Sequence, residues 1–137
     1  MVDSDKYGFV GLGDMGGPMA TNLARGGFPL IVYDKAGTEN LAPSGVEVGA
    51  GIEDVARAAE VVFVSVPDAA ASLDVARSLV SVEDRNTRTF INLSTVGVEA
   101  TGSIVKTLAD FGVDYVDAPV SGGKAGAIRG TVTVMWS

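Results

Sequence analysis

Few groups in this 137-residue chain could do chemistry, and most of them are small or uncharged. Gly11-Leu12-Gly13-Asp14-Met15-Gly16 has the spacing G-x-G-x-x-G. Gly11 permits a tight turn, Gly13 lets backbone approach a diphosphate with no Cβ in the way, and Gly16 allows close packing of the segment that follows. Eighteen residues past Gly16, Asp34 offers a carboxylate. Sugar hydroxyls are held at about that spacing of ~20 residues. Val66-Pro67, Ser94-Thr95 and Ser121-Gly122-Gly123 follow apolar runs. The last of these presents a hydroxyl beside bare amides, and such neutral donors can hold a small carboxylate.

Absences narrow the chemistry further. The chain has no Cys, which excludes disulfides, thiolate metal sites and thiol nucleophiles, and no His, the commonest general base and metal ligand. No metal site is expected. A net charge of −7 repels phosphodiesters, so nucleic acid is not an expected partner. The same charge repels an anionic cofactor at long range, so a phosphate site must be built locally from backbone N–H groups. Met1 to Lys6 is short and acidic, and no apolar run approaches the ~18 residues that span a bilayer. A cytoplasmic protein without a membrane partner is the expectation.

These groups matter only if they are held together, and the pattern between them says how. Apolar, β-branched runs occur at Tyr7–Val10, Leu30–Tyr33, Val61–Val66, Thr89–Leu93, Tyr115–Val116 and Thr131–Trp136. Met15, Met19 and Leu23, with Ala20 and Ala24 beside them, trace a helical face closed by Gly26-Gly27. Thr101, Ile104, Val105, Leu108 and Phe111 trace another, ended by Gly112, and Ile52 to Ala59 and Ala69 to Leu79 are Ala-rich helix candidates. Strands alternating with crossover helices predict an α/β fold with a Rossmann-type, doubly wound, mainly parallel sheet. Val61–Val66, apolar but for Ser65, is expected at its centre.

In that fold the glycine turn joins the first strand to the first helix, whose N-terminus adds unpaired N–H groups and partial positive charge. Pro18 falls in the first helical turn, where a missing N–H costs little. Asp34 at the end of the second strand completes a dinucleotide site. Its charge disfavours a 2′-phosphate and predicts NAD, although Lys35 beside it keeps NADP open. Two local alternatives remain: Ser94-Thr95 as a cap for a helix beginning near Val98, and Ser121-Gly122-Gly123 as a flexible turn.

Three stretches resemble the β-hydroxyacid dehydrogenase family. They are Gly8 through Gly16 with Pro18-Met19-Ala20 and Asn22-Leu23; Asn92-Leu93-Ser94-Thr95; and Asp117-Ala118-Pro119-Val120-Ser121-Gly122-Gly123 with Gly126-Ala127 and Gly130-Thr131. The resemblance implies that Leu12, Asp14, Met15, Val66, Pro67 and Thr95 line the cofactor with the glycines, and that Ser121, Gly122 and Gly123 receive the substrate carboxylate. It implies an NAD- or NADP-dependent oxidoreductase interconverting a short 3-hydroxy acid and its semialdehyde. An imine or glyoxylate reductase of the same fold, or a non-catalytic dinucleotide-binding or interaction module, is the alternative.

Hydride transfer at an alcohol carbon needs a proton donor or acceptor at the substrate oxygen. A Tyr with a Lys four residues on is one solution, but Tyr7, Tyr33 and Tyr115 are followed there by Gly11, Gly37 and Pro119. The family uses a Lys from a helical second domain, and Lys6, Lys35, Lys106 and Lys124 do not lie in that motif. Residues 1–137 are therefore expected to be the dinucleotide domain cut near its C-terminal end, with the catalytic Lys beyond residue 137. Homo-oligomers are expected through the absent domain. Trp136-Ser137 stand where the family continues with a small apolar residue and Gly-Gly.

Overall fold

The structure, a computed structural model, describes residues 6–137; the reading of Met1 to Asp5 lies outside the described residues. In chain order the elements are β1 (Tyr7–Val10), α1 (Gly16–Arg25), β2 (Leu30–Tyr33), α2 (Thr38–Leu41), β3 (Glu47–Val48), α3 (Ile52–Ala58), β4 (Val61–Val64), α4 (Ala69–Val80), β5 (Thr89–Asn92), α5 (Val98–Ala109), β6 (Asp114–Asp117), β7 (Val120–Ser121), α6 (Gly123–Arg129) and β8 (Thr133–Val134). Six strands form a parallel sheet in the order β3-β2-β1-β4-β5-β6. The order reverses between β1 and β4, the place where open α/β sheets leave a crevice beyond their carboxyl ends.

Successive residues of a strand face opposite sides of the sheet, and the core divides accordingly. Val10, Ile31, Val62, Val64 and Phe90 pack with Val55 of α3, Val75 and Leu79 of α4, and Ile104 and Leu108 of α5. On the other face Phe9, Leu30 and Val32 pack with Ala20 of α1 and with Leu12, Leu93 and Ala118. Phe9, Val62 and Phe90 are fully buried, as the central position expected for the Val61 run requires.

Four local expectations need correction. The central strand stops at Val64, leaving Val66 and Pro67 in the loop beyond it. Helix α1 begins at Gly16, so Met15 is its N-cap and not part of its face. On α5 only Ile104 and Leu108 are buried, Val105 is exposed, and Phe111 lies past the helix end and is exposed too. The packed neighbour α4 covers a narrower stripe than the apolar spacing suggests. The run Thr131–Trp136 shrinks to a two-residue strand, antiparallel to β7 in a separate sheet. Trp136 itself is 76% exposed.

Candidate functional site

The glycine turn leaves β1 and sits over the end of β4. Gly11 has φ +98°, and a Cβ there would lie 1.8 Å from the Ser65 carbonyl oxygen. A Cβ on Gly16 would lie 2.0 Å from the carbonyl oxygen of Gly11. Both glycines are thus demanded by the protein's own backbone. Gly13 differs: nothing lies within 4 Å of where its Cβ would be, and the residue is exposed. The open space above Gly13 is what an incoming diphosphate needs.

Helix α1 carries no side-chain cap at Met15. By contrast, Asp68 caps α4 by accepting the Ala71 N–H at 2.8 Å. The Gly17 N–H already donates to the Gly13 carbonyl at 2.9 Å and Pro18 has no N–H, so of the first helical amides it is that of Gly16 that is left toward an anion. Pro18 is its third residue, in the first turn as expected.

Asp34 directly follows β2, and its carboxylate reaches back to the turn. Oδ2 accepts the Leu12 N–H at 2.7 Å and Oδ1 the Ala36 N–H at 2.8 Å. The charge is thereby fixed beside the glycine turn, and each oxygen retains a further lone pair for a sugar hydroxyl. Lys35 is exposed next to it.

Farther along the same edge, Ser94 Oγ accepts the Val66 N–H at 2.9 Å, tying the loop after β5 to the loop after β4. The Ser94 N–H donates to Oδ1 of the fully buried Asn92 at 3.0 Å, and Asn92 Nδ2 donates to Ser72 Oγ at 3.4 Å. Ser94 therefore braces the crevice wall and does not cap α5, whose N-cap is Gly97 without a side-chain cap. Thr95 and Pro67 are exposed at the crevice. A cavity of about 450 Å³, lined by Val96, Gly97, Val98 and Ser103 among others, opens just past Thr95.

Ser121, Gly122 and Gly123 are exposed and join a strand to a helix. Ser121 belongs to β7, paired with Thr133, and Gly122 is the N-cap of α6. Gly122 and Gly123 have φ values of +132° and +63°, a backbone path that side chains with a Cβ rarely follow. The Asn22 Nδ2 of α1 donates to the Ala127 carbonyl at 2.7 Å, so α6 is fastened to the helix that starts at the glycine turn. Lys124 Nζ lies 3.5 Å from Asp14 Oδ1 across the gap between the two segments. Asn22, Asn92 and this ion pair were not singled out for these roles by the sequence. Their signal was available only as polar residues inside the three family-like stretches and one Lys after the glycines.

Below the crevice, Tyr115 donates to Asp117 Oδ1 at 3.3 Å. Burial, aided by the Asp117 charge, holds its phenol above the ordinary range against the lowering effect of Asn92 and Thr101. Of the lysines, Lys35, Lys106 and Lys124 are exposed, and Lys6 pairs with Glu47. None of these four side chains is buried. Among the described residues no group of three or more Asp or Glu side chains is placed to hold a metal ion.

Residues 6–137 match the family described as the NAD binding domain of 6-phosphogluconate dehydrogenase. The chain belongs to this family. Among its relatives, 2-(hydroxymethyl)glutarate dehydrogenase of Eubacterium barkeri is 36% identical over 98% of the chain and 46% of its own length. The 2-hydroxy-3-oxopropionate reductase of Escherichia coli K12 is 35% identical over 95% of the chain and 46% of its own length. The solved structure of Mycobacterium tuberculosis 3-hydroxyisobutyrate dehydrogenase with L-serine superposes with a TM-score of 0.84 at 26% identity, covering 98% of this chain and 46% of that one. The chain thus spans less than half the length of these relatives, and what it shares with them is the NAD-binding domain. No helix among the described residues is long and apolar enough to cross a membrane.

Proposed function

We propose that this chain is the cofactor half of an NAD(P)-dependent oxidoreductase that interconverts a short 3-hydroxy acid and its semialdehyde. One observation carries the cofactor part: bare space over Gly13, flanked by the uncapped start of α1 and the Asp34 carboxylate. In this reading the backbone of Gly13, Asp14, Met15 and Gly16 holds the diphosphate, while Gly11 and Leu12 hold the turn. Asp34 accepts the adenosine ribose hydroxyls, and Val66, Pro67 and Thr95 border the nicotinamide. When bound, the nicotinamide supplies the hydride acceptor or donor. The Asp34 charge, fixed by the Leu12 amide, supports NAD over NADP, because a 2′-phosphate would meet a like charge there.

The substrate class rests on Ser121, Gly122 and Gly123, whose exposed amides and hydroxyl suit a carboxylate better than an imine. The relatives' names, a dehydrogenase and a reductase of small acids, support the same class. Because Lys35, Lys106 and Lys124 are exposed, the proton-transfer group is proposed to lie in the portion of the relatives that this chain does not cover, as is the contact through which protomers assemble. Calorimetric titration of the chain with NADH and with NADPH tests the cofactor reading. Binding of NADH tighter than NADPH is expected, and no heat from either overturns it. A longer protein inactive on a panel of 3-hydroxy acids, yet binding NADH, would favour the non-catalytic module.

A further inference from the structure

The cradle offers an anion backbone donors and a helix terminus, yet its rim is acidic. Asp14 follows Gly13 directly, and Asp34 is bonded to Leu12. In a chain of net charge −7, a diphosphate approaching Gly13 meets two carboxylates before it meets an amide. One side chain answers this charge from outside the turn. Lys124, on α6, lies 3.5 Å from Asp14, with 60% of its own side chain and 85% of the Asp14 side chain exposed.

The pair is therefore solvent-exposed on both sides, as an exchange of partners requires. Asn22 fastens α6 to α1 through the Ala127 carbonyl, and Gly126 and Ala127 are buried against that contact. Lys124 is thus delivered from a fixed helix to the edge of the open space over Gly13. We propose that Lys124 is a cofactor-binding residue, paired with Asp14 while the cradle is empty and transferred to the cofactor diphosphate when it fills. An exposed carboxylate is the weaker partner, since a diphosphate brings more charge and more acceptor oxygens to the same ammonium. Asp14 then acts as a competitor for that ammonium, holding it in reach without burying it. This inference rests on the dinucleotide reading of the site and adds a side-chain cation to it.

The test measures NADH, ADP-ribose and adenosine affinities for the unaltered chain, Lys124→Gln, Asp14→Asn and Lys106→Gln. Lys106 lies exposed on α5 and removes the same charge elsewhere. Lys124→Gln is expected to weaken NADH and ADP-ribose by about two- to fivefold at low salt, the range of an exposed charge contact, with adenosine unchanged. Asp14→Asn is expected to strengthen the two diphosphates by about twofold, and both effects shrink in 0.5 M salt as screening grows. Equal losses in Lys124→Gln and Lys106→Gln would reduce Lys124 to net charge and overturn the proposal. So would unchanged ADP-ribose affinity, which would leave Lys124 no role at the diphosphate. If the unaltered chain binds none of the three, the dinucleotide reading falls and takes this proposal with it.

Discussion

The glycine turn after β1 and the Ser121-Gly122-Gly123 segment both use glycine and exposed amides, but they are held in different ways. Gly11, Leu12 and Gly16 are buried, and the two glycines are locked by carbonyl oxygens of the chain itself. Ser121 through Gly123 is exposed and runs from a short two-stranded sheet, outside the main one, into α6. Its ties include Asn22 to Ala127, Lys124 to Asp14, the Ala118 N–H to the Asn92 carbonyl at 2.9 Å, and the Met135 N–H to the Pro119 carbonyl at 3.0 Å. The glycine turn is part of the core, whereas Ser121 through Gly123 is a ledge pinned to it. A core-built cradle keeps its geometry whatever binds. A pinned ledge leaves room for a second domain or a substrate to adjust it.

Substitutions that separate these two supports should differ most in size. Gly11→Val or Gly16→Val drives a side chain into backbone and is expected to cost about 3 kcal/mol or more, read by urea unfolding. Gly13→Val has open space to enter. It should leave the unfolding midpoint nearly unchanged while weakening NADH by about tenfold or more, because the diphosphate loses its approach. Unaltered NADH affinity in Gly13→Val would break the contrast, since the open space over Gly13 would then not be where the cofactor lies.

Smaller effects sharpen the picture of the ties. Ser94→Ala leaves the part-buried Val66 N–H without its acceptor and should cost about 1–3 kcal/mol. Asn22→Ala removes one side-chain hydrogen bond and should cost about 1 kcal/mol. That loss should appear in hydrogen exchange as faster opening of α6, with β1 amides unaffected; uniform acceleration of both would mean the ledge is not a separate unit.

The smallest effect concerns the sheet edge at Tyr115. Its phenol is raised in the folded chain, so the folded state keeps a proton that the unfolded state loses near pH 10. The associated stability is full below that pH and falls as pH rises toward the raised value. Absorbance titration should reveal one late-ionising tyrosine, absent in Tyr115→Phe, and its persistence in that variant would refute the assignment.

How much of this was legible follows the range of the constraint. Gly11, Gly13, Gly16 and Asp34 could be singled out because a turn between a strand and a helix, with a carboxylate at the next strand end, is dictated within one short unit. The α5 face was misjudged at Val105 and Phe111 because apolar spacing counts residues without knowing how wide the neighbouring helix is. Ser94 looked like a helix cap because its partner, Val66, is 28 residues away and belongs to another loop.

Sequence alone therefore determined the parallel α/β architecture, the position of the glycine turn, and the lack of His and Cys chemistry. Those properties follow from local backbone preferences, hydrophobic period and composition. Only the tertiary structure decided which glycine faces open space, that Asp34 is pinned by Leu12, and that Asn22 and Lys124 join the two segments. Asn22 and Ala127 are 105 residues apart, and no periodicity or propensity reports such a pairing. It exists because the sheet brings every loop at its carboxyl edge to one side, where polar groups must find partners that the chain order does not supply.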